Sequence, residues 1–325
     1  MIYSWFSNTY QSQILLIFMA GVLLWLQSFI EPVAPASLTQ ASALYNWYIN
    51  LSGSWYLTFA GFFLLIIQGA VLITITGGYR ILGMTNLSPF LFYLLFMSYN
   101  SDFLTLNASL FSGFLVILII RQLIANYSKK QPLLEWFNTS LLAGVAILVH
   151  PGNLYLLVLI WITLIIYQSY TFREWVISLT GLITVLLFYG MYLFWIDDLS
   201  GSWQAFVSYY SQLPSAWPQN LPFAYLPFLA VFALLVLFTV PRMIFKLDEN
   251  IIRTRKRLNV VIFHAVLLLI AIALDPQAWS FYLFQLFIPL SFTVSRLVNN
   301  IRKEKLKDIV IVAIILSIVV ERVLA

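Results

Sequence analysis

The chain alternates long apolar segments with short polar ones. Eleven apolar segments are read as helices: Ser12–Ile30, Ser54–Thr76, Ser88–Tyr99, Phe103–Ala125, Trp136–Val149, Gly152–Ser169, Trp175–Ile196, Phe223–Val240, Leu258–Leu274, Trp279–Leu297 and Ile309–Val320. A helix that crosses a bilayer needs roughly 20 apolar residues. Ser88–Tyr99 and Trp136–Val149 fall short of that. Short segments are tolerated at membrane depth where protein buries them or where they line a cavity. The pattern predicts an all-α, polytopic transmembrane bundle of about eleven helices, with ten to twelve as the range, in a single integral-membrane domain spanning 1–325.

One corner organises the middle of the chain. Leu141 to Trp161 is two apolar halves that meet at His150-Pro151-Gly152-Asn153. Proline removes a backbone donor and breaks a helix. The sequence therefore predicts a tight turn there, between two membrane helices and near one membrane surface.

Basic residues then set the sidedness. Arg80, Lys129, Lys130, Arg173, the run Arg242 to Arg257, and Arg302 to Lys307 all fall between an even-numbered span and the next odd one. The odd-to-even loops carry no Lys or Arg. By the positive-inside rule the N-terminus is cytoplasmic and the C-terminus lies outside. The first span has no basic stretch before it and is followed by the bulky Ile30-Glu31-Pro32, so it is read as a retained helix rather than a signal peptide.

Composition fits this reading. The chain is 62% hydrophobic and 9% charged, with mean hydropathy +0.93, against about 25% charged for a soluble domain. No polar stretch is long enough for a separate soluble domain. With no cysteine, disulfides, thiolate metal sites and a cysteine nucleophile are excluded. The net charge of +5 reflects loop placement and implies no nucleic-acid partner; the partner is the bilayer. No nucleotide fingerprint, metal-ligand cluster or Ser-His-Asp arrangement is present. His264 reads as a buried, helix-bonding histidine. Asn100, Asn107, Gln68 and Gln285 read as interhelical hydrogen bonders.

The outer loops hold the candidate chemistry: Glu31, Asp102, His150, Asn153, Asp197, Asp198 and Asp275. Two of these loops are long. Within Glu31 to Gly53, the residues Leu44, Trp47, Tyr48 and Leu51 recur at helical spacing and predict a helix lying in the interface. Asp197 to Pro222 carries Trp203, Phe206, Tyr209, Tyr210 and Trp217 ahead of several prolines. It is read as an irregular aromatic loop: a headgroup-level belt, or a platform for a sugar ring or lipid headgroup.

NTSLLAGVAILVHPGNLYLLVLI (138–160) resembles the stretch of GT-C membrane glycosyltransferases in which a small-residue helix ends in a basic residue followed by Pro or Gly. YNSDFLTLNASLFSGFLVIL (99–118) resembles the acidic corner and lipid-facing helix before it, and Glu31 is similar in place to the acidic residue of their first outer loop. DPQAWSFYLFQLFIPLSF (275–292) is similar to their late outer loop and proline-containing helix.

The resemblance implies a transferase at the outer face of the bacterial cytoplasmic (inner) membrane, with a polyprenyl-phosphate sugar as donor. It implies Glu31 as the base, Asp102 as a second, orienting carboxylate and His150 on the phosphate side. Asn153, Asp197, Asp198, Trp203 and Asp275 complete the substrate-binding set. No cofactor is identified from the sequence. His150 stands where relatives often carry Lys, and no outer loop supplies a cation, so a divalent metal is one way to compensate the departing phosphate. Two other readings stay open: a non-catalytic subunit or scaffold in envelope biogenesis or secretion, and a transporter of lipids or amphipaths.

Overall fold

The computed structural model describes residues 11–32, 42, 55–79, 87–100, 104–127, 132–168, 171–214, 226–245, 252–301 and 303–324. The described residues form twelve α-helices, with no strand among them. These are α1 (Gln11–Ile30), α2 (Trp55–Gly78), α3 (Ser88–Met97), α4 (Ala108–Asn126), α5 (Leu133–Val149) and α6 (Tyr155–Tyr167). They continue as α7 (Phe172–Trp195), α8 (Leu199–Ser211), α9 (Leu226–Phe245), α10 (Ile252–Leu274), α11 (Trp279–Asn300) and α12 (Glu304–Leu324). Short 3-10 turns, Pro151–Leu154 and Pro276–Ala278, precede α6 and α11.

Each of the eleven expected spans falls on a helix. The twelfth helix, α8, lies where the sequence reading had an irregular loop. Trp203, Phe206, Tyr209 and Tyr210 follow one another at spacings of three, three and one, which put them on one face of a helix. The predicted interface helix at 41–52 and the Asp102 corner lie outside the described residues, apart from Ser42.

Among the described residues, six helical runs are long and apolar enough to cross a membrane: α1, α2, α4, α7, α10 and Pro276–Asn300. The chain has the helices of a multi-pass membrane protein. Helix α3 is different. Its ten residues reach only about 15 Å, half a bilayer core, and all ten are buried. It is sheathed by α2, α11, α1 and α12, so its backbone ends meet protein rather than lipid. Tyr93 of α3 donates to Gln68 Oε1 of α2 at 2.6 Å, and Trp25 Nε1 of α1 donates to Ser98 Oγ at 3.1 Å.

The helix ends gather at two poles. At the first, Arg257 near the start of α10 donates through Nε to the Ile124 carbonyl at 3.2 Å. Its NH1 donates to the Tyr79 carbonyl at 3.3 Å. The guanidinium also lies 4.9 Å from the centre of the Tyr79 ring. The Tyr167 hydroxyl, at the end of α6, donates to Leu123 O at 2.9 Å. The start of α3 meets α11 here through Ser88 and Ser295. Arg173, Arg253, Arg255, Lys256, Lys303, Lys305 and Lys307 belong to helix starts at this basic pole.

At the second, aromatic pole, the remaining ends meet. Leu106 N–H donates to Leu57 O at 3.0 Å, and Ser42 Oγ donates to Val149 O at 2.7 Å. Arg322 near the end of α12 donates to Ser98 O at 2.8 Å. Even-to-odd connections thus share one end and odd-to-even connections the other, as the basic-residue alternation requires. Arg322, which the loop-by-loop reading passed over, is the one Lys or Arg at the aromatic pole among the described residues.

Helices α5 and α7 form the most extensively packed pair. Their backbones approach through small residues, as helices in lipid do. A Cβ on Gly181 would sit 2.2 Å from Ser140 Oγ and 2.5 Å from the Phe137 carbonyl oxygen. The second of these is backbone and cannot rotate away. Gly181→Leu should therefore force the two helices apart, at a cost of about 1–3 kcal/mol. A fall in the thermal midpoint of the purified protein in detergent checks this; an unchanged midpoint would mean the crossing is looser than described. Arg257→Ala removes both carbonyl contacts at the basic pole and should also lower the midpoint. Arg257→Lys should recover only part of the loss, because a single ammonium cannot serve both carbonyls as the guanidinium fork does.

Candidate functional site

The His-Pro-Gly-Asn corner is built by local rules. His150 is extended (φ −153°, ψ 123°), as the residue before a proline tends to be. It ends α5, and Pro151 opens the 3-10 turn where its missing N–H has no partner to lose. The His150 Nδ1 accepts from the Gly152 N–H at 3.1 Å. Gly152 has no room for a side chain: a Cβ would stand 2.4 Å from the Tyr282 hydroxyl and 2.9 Å from His150 Nδ1.

Asn153 pins the corner to the bundle. Its Nδ2 donates to Ser112 Oγ at 2.8 Å and to the Ala146 carbonyl at 2.7 Å. Its Oδ1 accepts from Gln285 Nε2 at 2.8 Å, and that same Nε2 lies 3.0 Å from Ser112 Oγ. Tyr155 donates to Gln285 Oε1, and its hydroxyl lies 3.3 Å from His264 Nε2. One buried polar chain therefore runs from the corner through α4, α11 and α6 to α10. His264 stands at the far end of this linked set, buried as the sequence reading expected. Pro289 lies within α11. It supplies no N–H to the carbonyl four residues back, at Gln285, the residue that carries the network.

Towards the aromatic pole the corner meets α8 and the α10–α11 turn. The His150 ring stacks on Phe281 at 3.8 Å with an 18° interplanar angle. Tyr209 meets the His150 ring edge-on at 5.8 Å. The Tyr209 hydroxyl donates to Asp275 Oδ2 at 2.7 Å and lies 3.4 Å from the Tyr282 hydroxyl. Tyr210 donates to the Pro151 carbonyl at 2.6 Å. His150, Asn153 and Asp275 are all buried.

Burial lowers the His150 pKa from 6.5 to about 4, with the Asp275 carboxylate pulling the other way. Together with Nδ1 acting as an acceptor, this makes His150 a neutral ring in this conformation rather than a standing cation. Burial also pushes the Tyr209 hydroxyl above its usual range, helped by Tyr282 and Asp275. Burial, then Tyr282, does the same at Tyr210. Both tyrosines therefore remain protonated donors.

Beside this cluster, the end of α7 and the start of α8 enclose a cleft of about 470 Å³, lined by Phe194, Asp197, Leu199, Ser200 and Trp203. Asp197 takes the left-handed conformation, φ 55°, which turns the chain sharply between the two helices. Asp198 precedes α8 and accepts from Ser202 Oγ at 2.9 Å. Phe188, Met191, Tyr192, Phe194 and Trp195, on the last two turns of α7, are exposed.

The structure thus brings His150, Asn153 and Asp275 into one buried cluster and places Asp197 and Trp203 in the cleft between α7 and α8, which Asp198 does not line. Glu31 is exposed at the end of α1, and no described contact ties it to either. Asp102 lies outside the described residues. No group of three or more His, Cys, Asp or Glu residues suited to a metal ion occurs among the described residues. Sequence reasoning missed Tyr282 and Tyr155, and took Tyr209 and Tyr210 as belt aromatics or a platform for a sugar ring or lipid headgroup. The available signal was spacing: Tyr282 and Gln285 are three apart on α11, so both meet the same corner.

The depressed His150 pKa has a signed consequence. Between pH about 4 and 6.5 the unfolded chain binds a proton at this residue that the folded chain does not. Stability is therefore full above pH 6.5 and falls as the pH drops towards 4, by about 3 kcal/mol for this group. Thermal midpoints measured from pH 7.5 to 4 should decline across that window. His150→Gln, which keeps an acceptor but cannot titrate there, should flatten the decline. An identical decline in both proteins would place the titration elsewhere.

The chain matches the model of DUF6427, a family of unknown function, over residues 38–323. No curated protein and no solved structure matches the chain. The match covers most of the chain, and the protein belongs to the DUF6427 family.

Proposed function

We propose that this is a GT-C-like protein of the bacterial cytoplasmic membrane, with its N-terminus cytoplasmic, its C-terminus outside and its aromatic pole facing outward. On this reading the aromatic pole transfers a sugar from a polyprenyl-phosphate donor. The carrying observation is the cleft of about 470 Å³ at Asp197 and Trp203, set where the exposed apolar end of α7 would meet lipid. A carboxylate and an indole beside a lipid-facing surface suit a substrate that is part sugar and part hydrocarbon. The donor's chain would lie along α7, with its sugar in the cleft.

In the transfer step an acceptor hydroxyl attacks the anomeric carbon. A new C–O bond forms there as the bond to the phosphate oxygen breaks. The hydroxyl proton passes to a carboxylate, and the phosphate leaves with the pair of electrons. Asp197 lines the cleft; Glu31 and Asp102 belong to the same side by the loop alternation. Arg322 adds a cation to this pole that the loops lack.

The test is transfer from radiolabelled polyprenyl-phosphate sugars in membranes carrying the protein. Asp197→Asn, Glu31→Gln and Asp102→Asn should each reduce product at least tenfold, with membrane insertion and expression unchanged. Full activity in all three variants would overturn the reading. Lipid movement in proteoliposomes without any transfer product would assign the pole to transport instead.

A further inference from the structure

Helix α8 covers the most polar buried cluster of the aromatic pole, yet it is held there lightly. None of its thirteen residues is buried. Its Trp203 and Val207 are exposed. Two tyrosine hydroxyls tie it down: Tyr209 to Asp275 Oδ2 at 2.7 Å and Tyr210 to the Pro151 carbonyl at 2.6 Å. Both acceptors lie off α8, on the floor beneath it. The turn that leads into α8 passes through Asp197 at φ 55°.

That floor has a definite chemistry. It offers a carboxylate at Asp275, a backbone carbonyl at Pro151 and the phenol of Tyr282. The stacked His150–Phe281 ring pair forms its apolar wall. The two hydrogen bonds that α8 makes to it both come from tyrosine hydroxyls. The floor thus already binds hydroxyls, two of them, through acceptors that a buried site must keep paired. The neutral His150 ring leaves no cation in this set to hold a phosphate.

We infer that the space beneath α8 is a hydroxyl-binding subsite for the uncharged saccharide headgroup of an amphiphile, and that Tyr209 and Tyr210 hold its places in the closed conformation. When α8 swings away, two sugar hydroxyls donate to Asp275 Oδ2 and the Pro151 carbonyl in place of the tyrosines, and the sugar's apolar face lies on the ring pair. The exchange replaces like with like, so no buried acceptor is left unpaired on either side of it. This subsite is distinct from the Asp197–Trp203 cleft. It deepens the transferase reading by supplying a second sugar position, and it rests on that reading only for what happens after binding.

The test uses the full chain in lipid nanodiscs and needs no transfer assay. In hydrogen–deuterium exchange, the Tyr209→Phe/Tyr210→Phe variant should exchange the α8 amides at least tenfold faster than the parent, with α11 unchanged. Unchanged α8 exchange, or equal acceleration in α11, overturns the latch. Decyl maltoside, decylphosphocholine and decyl sulfate are then compared as probes below their micellar concentrations. Decyl maltoside alone should bind saturably, at least fivefold more tightly to the double variant, and Asp275→Asn should abolish that gain. Equal binding of all three probes, or maltoside binding indifferent to Asp275→Asn, overturns the subsite. The two readings fail separately. Maltoside binding without any transfer product sinks the transferase alone, and transfer without headgroup-selective binding sinks the subsite alone.

Discussion

Asn153 is the residue on which the interior of this protein turns. A bilayer offers no water to satisfy a backbone that leaves its helix, so a break between two apolar helices must be closed by protein. The carboxamide does this at the His150–Leu154 turn. It gives its protons to Ser112 and the Ala146 carbonyl and accepts from Gln285. One side chain thereby joins α4, α5, the 3-10 turn and α11. The turn in turn fixes the His150 ring against Phe281 and the Pro151 carbonyl beneath Tyr210. The candidate chemistry at the aromatic pole is a consequence of how this helix break was sealed.

The same constraint explains the division of labour between the poles. At the basic pole, Arg257 spends its donors on the carbonyls of Tyr79 and Ile124. It acts as a staple between α2, α4 and α10 rather than as a recognition group. At the aromatic pole, carboxylates and phenols stand above sealed helix ends, and α8 lies across them with few contacts of its own. One end of the bundle is committed to holding helices together. The other carries its polar groups beneath α8, whose Tyr209 and Tyr210 hydroxyls bond to Asp275 and the Pro151 carbonyl.

Much of the architecture was legible in the sequence because lipid imposes a simple rule on composition. Helices show as apolar runs, and Lys and Arg mark alternate connections. The short spans were legible too. SPFLFYLLFM is too short to cross, and it is buried on every side. α8 was not found, because an interfacial helix rich in Ser and Tyr has neither the length nor the apolarity that marks a span. Arg322 escaped because it lies inside a helix end rather than in a loop. Tyr282 and Tyr155 looked like ordinary aromatics among many, since nothing local tells a packing ring from one whose hydroxyl meets a buried amide.

The sequence by itself determined the helices, their alternation between two poles and the break at His150-Pro151, because these follow from hydropathy, charge and proline geometry along one strand of chain. Only the tertiary structure decided which polar residues meet. Asp275, Tyr209 and His150 come from three separate stretches of chain, and their association depends on α8 folding back across the end of the bundle. Hydrogen bonds between residues so distant in sequence leave no periodic trace. They come from packing, and so does the neutral state of His150, which burial produces and no neighbour in the sequence foretells.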